Sequence, residues 1–474
     1  MFRMRLIGPI SVLILCAALA GCGGSNQFGS QTQNNGNSSV VLAMTDFPPL
    51  NVSVLAAEVT LTGATLAPGN VSLFSGSTTV ELTRLQTDIA YIATAANIPA
   101  GSYTTVTLTF ANPSLTFEND TGAPIAGCAV GSICTITPAA PSFSATVPLT
   151  AFSIASSSTS GLLIDVNLDN LLTSSLGANF SVGTTVTSFT PGGSGAPPVG
   201  AEDVVGQVGN VNVSGNTFTL TNAAGSFTLK VDNTSTFFQF PPSECSTKGF
   251  ACLHNNQILS VDIGIQPDGS ILARNILFED ADSSDAEVEG MITSTNAGLQ
   301  QFSITTLGIS STGTGLNIGK TATVQYSVSP QTTFDVDFAH ADSLPVSTSG
   351  FLFAVPADLV VGQQVSIRRN NTSSGTTIKA DRVRLRSSRI TAAVSNIGSG
   401  IITLSSIPSV ISGHGGISMI LAQTTSPTIF FEIGGTINIS DITQGLPVSV
   451  RGPLFNVSGG RTLAATKVVL KPVP

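Results

Sequence analysis

Cysteines are the residues with the most evident chemistry in this 474-residue sequence, which contains six of them. Four lie in two close pairs, and the other two lie within or directly after an apolar N-terminal run. In an exported chain, an even set of closely spaced cysteines indicates disulfides. A metal site, with His254 two residues past Cys252, is the alternative, but it needs tighter spacing or more histidines. The predicted disulfides are Cys128 with Cys134 and Cys245 with Cys252.

The N-terminal run follows Arg3 and Arg5 and ends in the segment LAGC, whose cysteine is Cys22. It is shorter than a membrane span of ~20 residues and is typical of a secretory signal. The segment resembles the lipobox of bacterial lipoproteins, in which the cysteine takes a diacylglyceryl group and becomes the first, acylated residue of the mature chain. The resemblance implies that residues 1–21 are a signal peptide and that Cys22 is the lipidation site, with enough acyl chains for stable anchoring. An ordinary signal peptide with a chance cysteine is the alternative.

Behind Cys22 the chain reads GGSNQFGSQTQNNGNSS, with almost no apolar residue and no charge. Such a segment cannot bury enough surface to offset its conformational entropy, so residues 22–39 are predicted to be a flexible tether. Gly23, in place of an aspartate, resembles lipoproteins that are sent on to an outer membrane. We therefore expect an exported chain that is lipid-anchored to the bacterial cell envelope, at the outer membrane.

Histidines and acidic residues give no recognisable catalytic or metal-binding motif. The sequence has neither an H-E-x-x-H motif nor a G-x-S-x-G elbow. The acidic stretch at residues 279–289 offers oxygen ligands for calcium but lacks the glycine and spacing of an EF-hand, which favours an inter-domain linker. His340 has three aspartates nearby, a set that suits a metal or acid–base site or, more simply, a solvated loop. These histidines and aspartates are His254, His340, His414, Asp335, Asp337 and Asp342.

The segment GTGLNIGKT, residues 313–321, resembles a phosphate-binding P-loop. Thr314 stands where its first glycine is required. A P-loop also leads into a helix whose N-terminal amides face the phosphates, whereas the residues that follow here alternate like a strand. We predict no nucleotide site, no catalytic residue, no metal and no cofactor.

Basic residues are concentrated in one part of the chain. Removal of Arg3 and Arg5 with the signal leaves 16 basic against 27 acidic residues, a net charge near −11, and seven of those 16 lie between residues 368 and 389. In the segment DRVRLRS, a period of two places Arg382, Arg384 and Arg386 on one strand face. Guanidinium groups in a row suit phosphate or carboxylate polymers, so this stripe is a possible anionic-ligand face, with a merely solvated strand face as the alternative.

Composition and periodicity predict an all-β protein. Charged residues make up only 9% of the chain, yet 42% is hydrophobic and alternates with uncharged hydroxyl residues, which argues against disorder. The segment SYTTVTLTF alternates with a period of two, and NTFTLTNAAGSFTLKV has the pattern of a β-hairpin. Residues 81–96 are the best candidate for one short helix or helical turn. The acidic balance makes nucleic acid an unlikely partner for the chain as a whole.

Pro- and Gly-rich residues 192–203 are predicted to form a linker between two β-rich regions. Beyond them the chain repeats loosely, each unit with an opening strand, a T-x-F strand, a strand after a polar turn and a final alternating strand. We therefore predict an N-terminal β-sandwich of the immunoglobulin-like kind at residues 40–191, followed by three small β-barrel or sandwich-like units. The units are predicted at residues 204–282, 283–387 and 388–474.

Several segments carry a resemblance to known families. AMTDFPP, AAEVTLTGATL, NIPAGSYTTVTLTF and GLLIDVNLDNLL resemble motifs of the bacterial family called domain of unknown function 4382, and the three later units resemble the domain of unknown function 5666 family. Neither resemblance implies an activity. The first places an aspartate at Asp46 and at Asp165, which either cap backbone amides or form a shared cation or acid–base pair.

The function expected from the sequence is that of an anchored cell-envelope lipoprotein with a binding or scaffolding role and no enzymatic activity. Its expected partners are the membrane, through the lipid anchor, and an envelope polysaccharide or another envelope protein. An accessory protein that binds anionic glycan is the alternative. The absence of tryptophan and the presence of only three tyrosines argue against sugar stacking. An envelope enzyme is a third possibility, for which no residue constellation is found.

Overall fold

Strands dominate the structure, a computed structural model in which defined ranges of the chain are described. These are residues 38–47, 53–120, 122–124, 127–137, 142–168, 183–191, 204–222, 225–266, 270–280, 287–310, 315–336, 351–370, 373–432, 435–457 and 460–470.

The first nine strands form a two-sheet sandwich, as predicted for residues 40–191. One sheet has the order β4-β1-β8-β9, and the other has the order β3-β2-β5-β6 with β7 also paired to β5. Strands β1 and β8 are parallel neighbours, whereas the remaining pairs are antiparallel. The strands are β1 (Ser38–Phe47), β2 (Ser53–Ala67), β3 (Val71–Glu81), β4 (Ala90–Ile98), β5 (Gly101–Glu118), β6 (Ile133–Ile136), β7 (Ser142–Ile154), β8 (Thr159–Asn167) and β9 (Thr185–Phe189).

Strand β5 shows why the sequence forms this sandwich. Val106, Leu108 and Phe110 are buried in the core, and the threonines between them are partly exposed, which confirms the predicted alternation. Strand β1 differs because it is apolar at successive positions. Val40 and Leu42 pack inside the sandwich, whereas Val41 and the residues on its side pack against the next domain. A continuous apolar run thus marks a strand that is covered on both faces.

Residues 81–96 contain the shorter of the two predicted alternatives, a helical turn, and no longer helix. A single 3-10 turn spans Leu82–Gln86, and strand β4 follows from Ala90. Glu81 caps the turn, because its carboxylate accepts hydrogen bonds from the amides of Thr83 and Arg84. This N-cap satisfies the first amides of the turn. The turn ends at Gln86, and the residues from Ala90 onward form a sheet edge beside β1.

The three repeat units are closed five-stranded barrels, each with one additional short strand. The strands of barrel 1 are β10 (Val204–Asn212), β11 (Thr217–Asn222), β12 (Gly225–Val231), β13 (Phe237–Gln239), β14 (Ile258–Ile265) and β15 (Ile271–Asp280). Those of barrel 2 are β16 (Glu287–Asn296), β17 (Gln301–Ile309), β18 (Thr321–Gln325), β19 (Thr333–Val336), β20 (Gln364–Arg369) and β21 (Thr377–Leu385). Those of barrel 3 are β22 (Ser387–Gly398), β23 (Ile401–Ser405), β24 (Ile420–Glu432), β25 (Gly435–Thr436), β26 (Pro447–Val457) and β27 (Gly460–Leu470).

All three barrels have the same topology. The first strand lies between the second and the fourth, and the third closes the barrel by pairing in parallel with the fifth, as in β12–β15, β18–β21 and β24–β27. This order is that of the OB fold, a small Greek-key barrel. The described helices are one α-helix, α1 (Ser409–Gly415) in barrel 3, and 3-10 turns at Phe250–Cys252, Ala297–Leu299, Pro356–Asp358 and Ile439–Asp441, besides that in the sandwich.

The T-x-F motif of each repeat has a shared structural role. Its threonine is buried, and the hydroxyl donates to the backbone carbonyl of an alanine in the fifth strand. The same hydroxyl accepts a hydrogen bond from a backbone amide just before the motif. The three pairs are Thr236 with Ala273, Thr332 with Ala380 and Thr428 with Ala465. The motif therefore ties the chain to the fifth strand, from a position after the third strand in barrels 1 and 2 and within the third strand, β24, in barrel 3.

Two further predictions are confirmed by the strands of barrels 1 and 2. Strands β11 and β12 form the predicted antiparallel hairpin, with Asn222 opposite Gly225. The residues after the P-loop-like segment form strand β18 and no helix, so that a P-loop is absent there. The sandwich and the barrels form one compact unit, residues 34–474. Within the described residues, no helix has the length and apolar character needed to cross a membrane.

Candidate functional site

Arg382, Arg384 and Arg386 do not form a solvent-facing stripe, so the prediction of an anionic-ligand face is wrong. The alternation itself is present, because Val383 and Leu385 are buried in the core of barrel 2. The opposite face is covered by carboxylates, and the three arginine side chains are only 15%, 9% and 1% exposed. Each guanidinium can be buried because it pairs with a buried carboxylate. The sequence pattern does not show that these carboxylates lie against the arginines.

Glu279, on the last strand of barrel 1, is the centre of this buried network. Its Oε2 lies 2.7 Å from Nη1 of Arg384 and 3.2 Å from Nη2 of Arg382, and its Oε1 lies 2.9 Å from Nη2 of Arg386. The Nη2 of Arg382 also lies 3.0 Å from Oε1 of Glu287 in strand β16. Burial raises the pKa of Glu287, although Arg382 opposes the increase. The network joins barrel 1 to barrel 2.

A second ion pair joins the sandwich to barrel 2. Arg84, in the 3-10 turn, donates from Nη2 to Oε2 of Glu289, and the Glu289 side chain is 3% exposed. Gly308 lies beside this pair, and a Cβ at that position would meet the Arg84 guanidinium. A glycine in strand β17 therefore leaves the space in which the arginine crosses between domains.

Asp88 joins the sandwich to barrel 3. Its Oδ1 accepts from Nζ of Lys467 at 2.7 Å and its Oδ2 from Nη2 of Arg389 at 2.8 Å, with all three side chains buried. Burial alone would raise the pKa of Asp88, but the charges of Lys467, Arg389 and Arg451 outweigh it and hold the pKa well below its usual range. Burial lowers the pKa of Lys467, with Asp88 opposing. The pair is thus a charged contact inside the protein.

A serine, a histidine and a glutamate also meet between the sandwich and barrel 3. Ser409 Oγ donates to Oε2 of Glu118 at 3.0 Å, and Nε2 of His414 lies 2.8 Å from Oε1 of the same carboxylate. In a Ser-His-acid triad the serine donates to the histidine, whereas here both side chains contact the acid. This arrangement positions helix α1 on the sandwich and does not prepare Ser409 for nucleophilic attack.

A cleft lies where the sandwich, barrel 1 and barrel 2 meet, with a volume of about 240 Å³. Side chains from all three domains line it. Its walls are largely apolar, and several charged or hydroxyl side chains gather on the sandwich side. The apolar lining includes Tyr91, Val204, Phe227, Ile263, Leu307 and Ile309, and the polar lining includes Glu58, Thr78, Thr79, Glu81, Arg84 and Glu289. Clefts of this character at domain interfaces are the usual places for small-molecule sites.

Glu58, on strand β2, differs from the other acidic residues of the cleft. Burial, together with the nearby charge of Glu81, raises its pKa from 4.5 to about 7. No hydrogen bond or ion pair links its carboxyl to another residue in the described part of the chain. The side chain is half-buried and lines the cleft. It is therefore a carboxyl that titrates near neutrality and is available to an occupant.

The other acidic groups that line the cleft already have protein partners. Glu81 accepts from the amides of Ala57 and Thr83, and burial raises its pKa although these hydrogen bonds oppose the increase. Glu289 pairs with Arg84, and Asp88 pairs with the basic residues of barrel 3. Tyr91 donates to Thr94, and burial raises the pKa of Tyr91 to about 12.

Both predicted disulfides are present. Cys128 is bonded to Cys134, with their Cα atoms 5.9 Å apart, and Cys245 is bonded to Cys252, with their Cα atoms 5.6 Å apart. The first bridge connects the loop after β5 to strand β6, and the second closes the loop before β14. His254 is exposed beside the second bridge, and the disulfide leaves no thiol for a metal there.

Several predicted sites lie outside the described residues. These are the signal peptide, Cys22 and nearly all of the tether, the linker at 192–203, and His340 with Asp337 and Asp342. The middle of the acidic stretch also lies outside them, but its ends, Glu279 and Glu289, are strand residues paired with arginines rather than calcium ligands. Asp335 likewise pairs with Arg384. The described residues contain no group of three or more potential metal ligands.

The parallel pairing of β1 and β8 places Thr45 opposite Asp165 and Asp46 opposite Val166. Because successive side chains alternate between the faces of a sheet, Asp46 and Asp165 lie on opposite faces. Asp46 is buried and Asp165 is half-buried. The register does not support the predicted shared cation or acid–base pair.

The cleft residues were missed by reasoning from the sequence. Glu58 lies in a segment that has the pattern of an ordinary strand, and Glu81 and Arg84 lie in the segment that was predicted to hold a short helix or helical turn. The one signal available in the sequence was that Glu58 is a charged residue among hydroxyl and apolar residues, in a chain of which only 9% is charged.

Comparison with known proteins identifies no family. No protein-family model matches the chain, and no curated protein matches it. A solved multidomain protein with nucleic acid binding domains, from Streptococcus pneumoniae TIGR4, is similar at 12% identity over 58% of this chain and 74% of its own, with a TM-score of 0.11. That score is too low to carry an argument. The resemblances to the two families of unknown function stay predictions.

Proposed function

We propose that the chain is a lipid-anchored protein of the bacterial cell envelope that acts as a rigid binding scaffold and does not catalyse a reaction. The observation that carries the proposal is the set of buried ion pairs between domains. Arg386 pairs with Glu279 across barrels 1 and 2, Arg84 reaches from the sandwich to barrel 2, and Asp88 reaches from the sandwich to barrel 3.

Buried ion pairs support a scaffold because they specify one arrangement. Each charge that leaves water needs its partner in place, so an arrangement that separates the partners leaves an uncompensated buried charge. Domains joined only by linkers move relative to one another by default. With so few charges in the chain, their concentration at domain junctions favours a fixed geometry, in which any binding surface keeps a constant orientation.

The anchor in this proposal is Cys22, at the end of its lipobox-like segment, and residues 22–39 are the tether. The outer membrane is the proposed location because Gly23 follows the cysteine. The proposed partner is an envelope polysaccharide or another envelope protein. The anionic-glycan alternative loses its support, because the three arginines that suggested it are paired inside the protein.

Nucleic acid is not a proposed partner. Single-strand binding by OB folds uses basic grooves and stacking aromatics, often on the second and third strands. In barrel 1 the outward residues of those strands are mainly hydroxyl residues, with Lys230 as the basic one. In barrel 2 they are threonine, serine and glutamine.

The anchor is tested by Cys22→Ser. The variant should lose metabolic labelling with a radioactive fatty acid and keep its signal peptide, whereas the unchanged chain should carry label and begin at Cys22. Label that persists in the variant would refute the lipid anchor.

The rigid scaffold is tested by small-angle X-ray scattering on the full chain. Replacing Arg382, Arg384 and Arg386 together with glutamine should lengthen the maximum dimension while circular dichroism keeps its β signature. The matched control replaces three exposed lysines with glutamine and should scatter like the unchanged chain. These lysines are Lys230, Lys248 and Lys379. Scattering of the unchanged chain that fits only independently moving domains would refute the rigid scaffold.

A further inference from the structure

The cleft between the sandwich and barrels 1 and 2 has the size and lining of a small-molecule site. Its volume of about 240 Å³ exceeds that of an engineered apolar cavity of ~150 Å³ that takes up benzene. Phe227, Ile263 and Leu307 supply apolar surface from two barrels, and the sandwich supplies the polar groups. An occupant with an aromatic or branched aliphatic body and one polar end matches this division.

We propose that the cleft binds a small amphipathic cation, an amine on an aromatic or branched aliphatic body, whose ammonium group pairs with Glu58. The proposal goes beyond the scaffold role and does not depend on it. A cation is favoured because Glu58 carries the carboxyl that has no protein partner among the described residues, whereas Arg84, which also lines the cleft, is already paired with Glu289. An anionic ligand would find no comparable unpaired cation in the lining.

The remaining lining supports an organic cation over a metal ion. Calcium takes six to eight oxygen ligands, and magnesium demands near-ideal octahedral oxygen geometry. The carboxylates of Glu81 and Glu289 are engaged by amides and by Arg84, so that Glu58 would be left as the main carboxylate ligand. An ammonium needs only one carboxylate and gains further stabilisation when its body displaces water from apolar walls.

The test uses the full chain with isotope-labelled methyl groups and 2-phenylethylammonium as the probe. We expect the probe to shift the methyl resonances of Val204, Ile263 and Leu307 in NMR spectra. The uncharged 2-phenylethanol and the anionic 3-phenylpropionate should bind at least about 10-fold more weakly, since a charged hydrogen bond to a carboxylate is lost. Because the methyl groups report position, binding elsewhere on the protein or in detergent does not imitate the result.

Glu58→Gln should weaken binding of the ammonium probe by about 10-fold or more, whereas the exposed Glu244→Gln in barrel 1 should not change it. If Glu58→Gln fails to fold, Ala90→Leu provides a second variant, because Ala90 also lines the cleft and a larger side chain narrows it. That variant should weaken binding of both the charged and the uncharged probe.

The pH dependence of binding provides an independent reading. Ammonium binding should tighten up to about 30-fold between about pH 5.5 and pH 8, because the pKa of Glu58 is about 7 and its carboxyl ionises in that interval. The groups that face it from the neighbouring elements are Glu81, Arg84, Asp88, Tyr91 and Glu289, so the change is measured as the difference between the unchanged chain and Glu58→Gln.

Three outcomes would overturn the proposal. They are an absence of shifts at the cleft methyl groups, equal binding of the alcohol or the carboxylate probe, and unchanged ammonium binding in Glu58→Gln with an intact fold. Cleft-specific shifts with the predicted charge preference, pH dependence and loss in the variant would support it, whatever the scattering experiment shows about the scaffold.

Discussion

Asp88 and Lys467 are separated by 379 residues in the chain, yet Oδ1 of Asp88 and Nζ of Lys467 lie 2.7 Å apart and both side chains are buried. One residue belongs to the sandwich, which contains the first described strands, and the other lies on the last described strand of barrel 3. The pair therefore connects the first and the last of the described domains, and Arg389 is a second partner of the same carboxylate.

Asp88→Asn should destabilise the protein by about 3–5 kcal/mol, because it leaves Lys467 and Arg389 buried without their counter-charge. The measurement is the shift of the urea unfolding curve followed by circular dichroism. Asp381→Asn is the matched control. The Asp381 side chain is exposed and accepts a hydrogen bond from Nδ2 of Asn370, so a change within about 0.5 kcal/mol is expected. Equal effects of the two variants would show that the buried pair does not stabilise the fold.

The pH dependence of stability should carry the signature of Glu58. Its folded pKa of about 7 lies above its ordinary value of 4.5, so the folded state binds the proton more tightly than the unfolded state. The stabilisation is complete below about pH 4.5 and is lost as the pH rises through about 7. Between about pH 5 and pH 8, Glu58 should therefore cost the unchanged protein on the order of 1 kcal/mol of unfolding free energy, allowing for solvent screening of a partly exposed group. Glu58→Gln should not show this part of the decline.

Thermal unfolding of both proteins at the two pH values checks this expectation. Glu287 also has a raised pKa and contributes a decline in the same direction, so the unchanged chain should still lose stability in the variant, but less. A parallel decline in the two proteins would contradict the assignment to Glu58.

The strands were predictable because burial of one sheet face places an apolar residue at every second position, as at Val106 and Leu108 of β5. The disulfides were predictable because each joins two cysteines that are only six or seven positions apart in the chain. The sequence also predicted the period of the arginine stripe. It did not predict the environment of Arg386, because the partner Glu279 reaches it from another barrel.

The cleft and the length of the helical segment could not be predicted, for the same physical reason. Glu58 becomes distinctive only when barrels 1 and 2 are placed against the sandwich, and a local pattern contains no information about that placement. Residues 81–96 have helical spacing of apolar side chains, but the helical turn spans only Leu82–Gln86, and the residues from Ala90 onward pair with β1 as a strand in which Tyr91 is buried. Long-range packing overrode local preference in both cases.

Thr332→Val should destabilise barrel 2 by about 1–3 kcal/mol, because it removes a donor to the Ala380 carbonyl and an acceptor for the Ser327 amide without changing the shape of the side chain. The adjacent Thr333→Val is the matched control. The Thr333 hydroxyl donates to the Asp381 carbonyl at 3.4 Å, but this bond is exposed to solvent, so a change within about 0.5 kcal/mol is expected. Amide hydrogen exchange of strands β19 and β21 reports the difference. Similar exchange in the two variants would mean that the T-x-F threonine has no closing role.

The Cys245–Cys252 bridge should stabilise the loop before β14 by restricting the unfolded chain. Replacing both cysteines with serine should cost about 2 kcal/mol, the value that the chain-entropy model gives for a closed loop this short. Hydrogen exchange should rise in residues 245–253 of barrel 1 and stay unchanged in barrel 3, whose described residues contain no disulfide.

The double replacement of Cys128 and Cys134 should instead affect the sandwich loop, so each variant serves as the control for the other. If both double variants exchanged like the unchanged protein, or if non-reducing peptide mapping of the protein found free thiols at these four positions, the bridges would have no stabilising role.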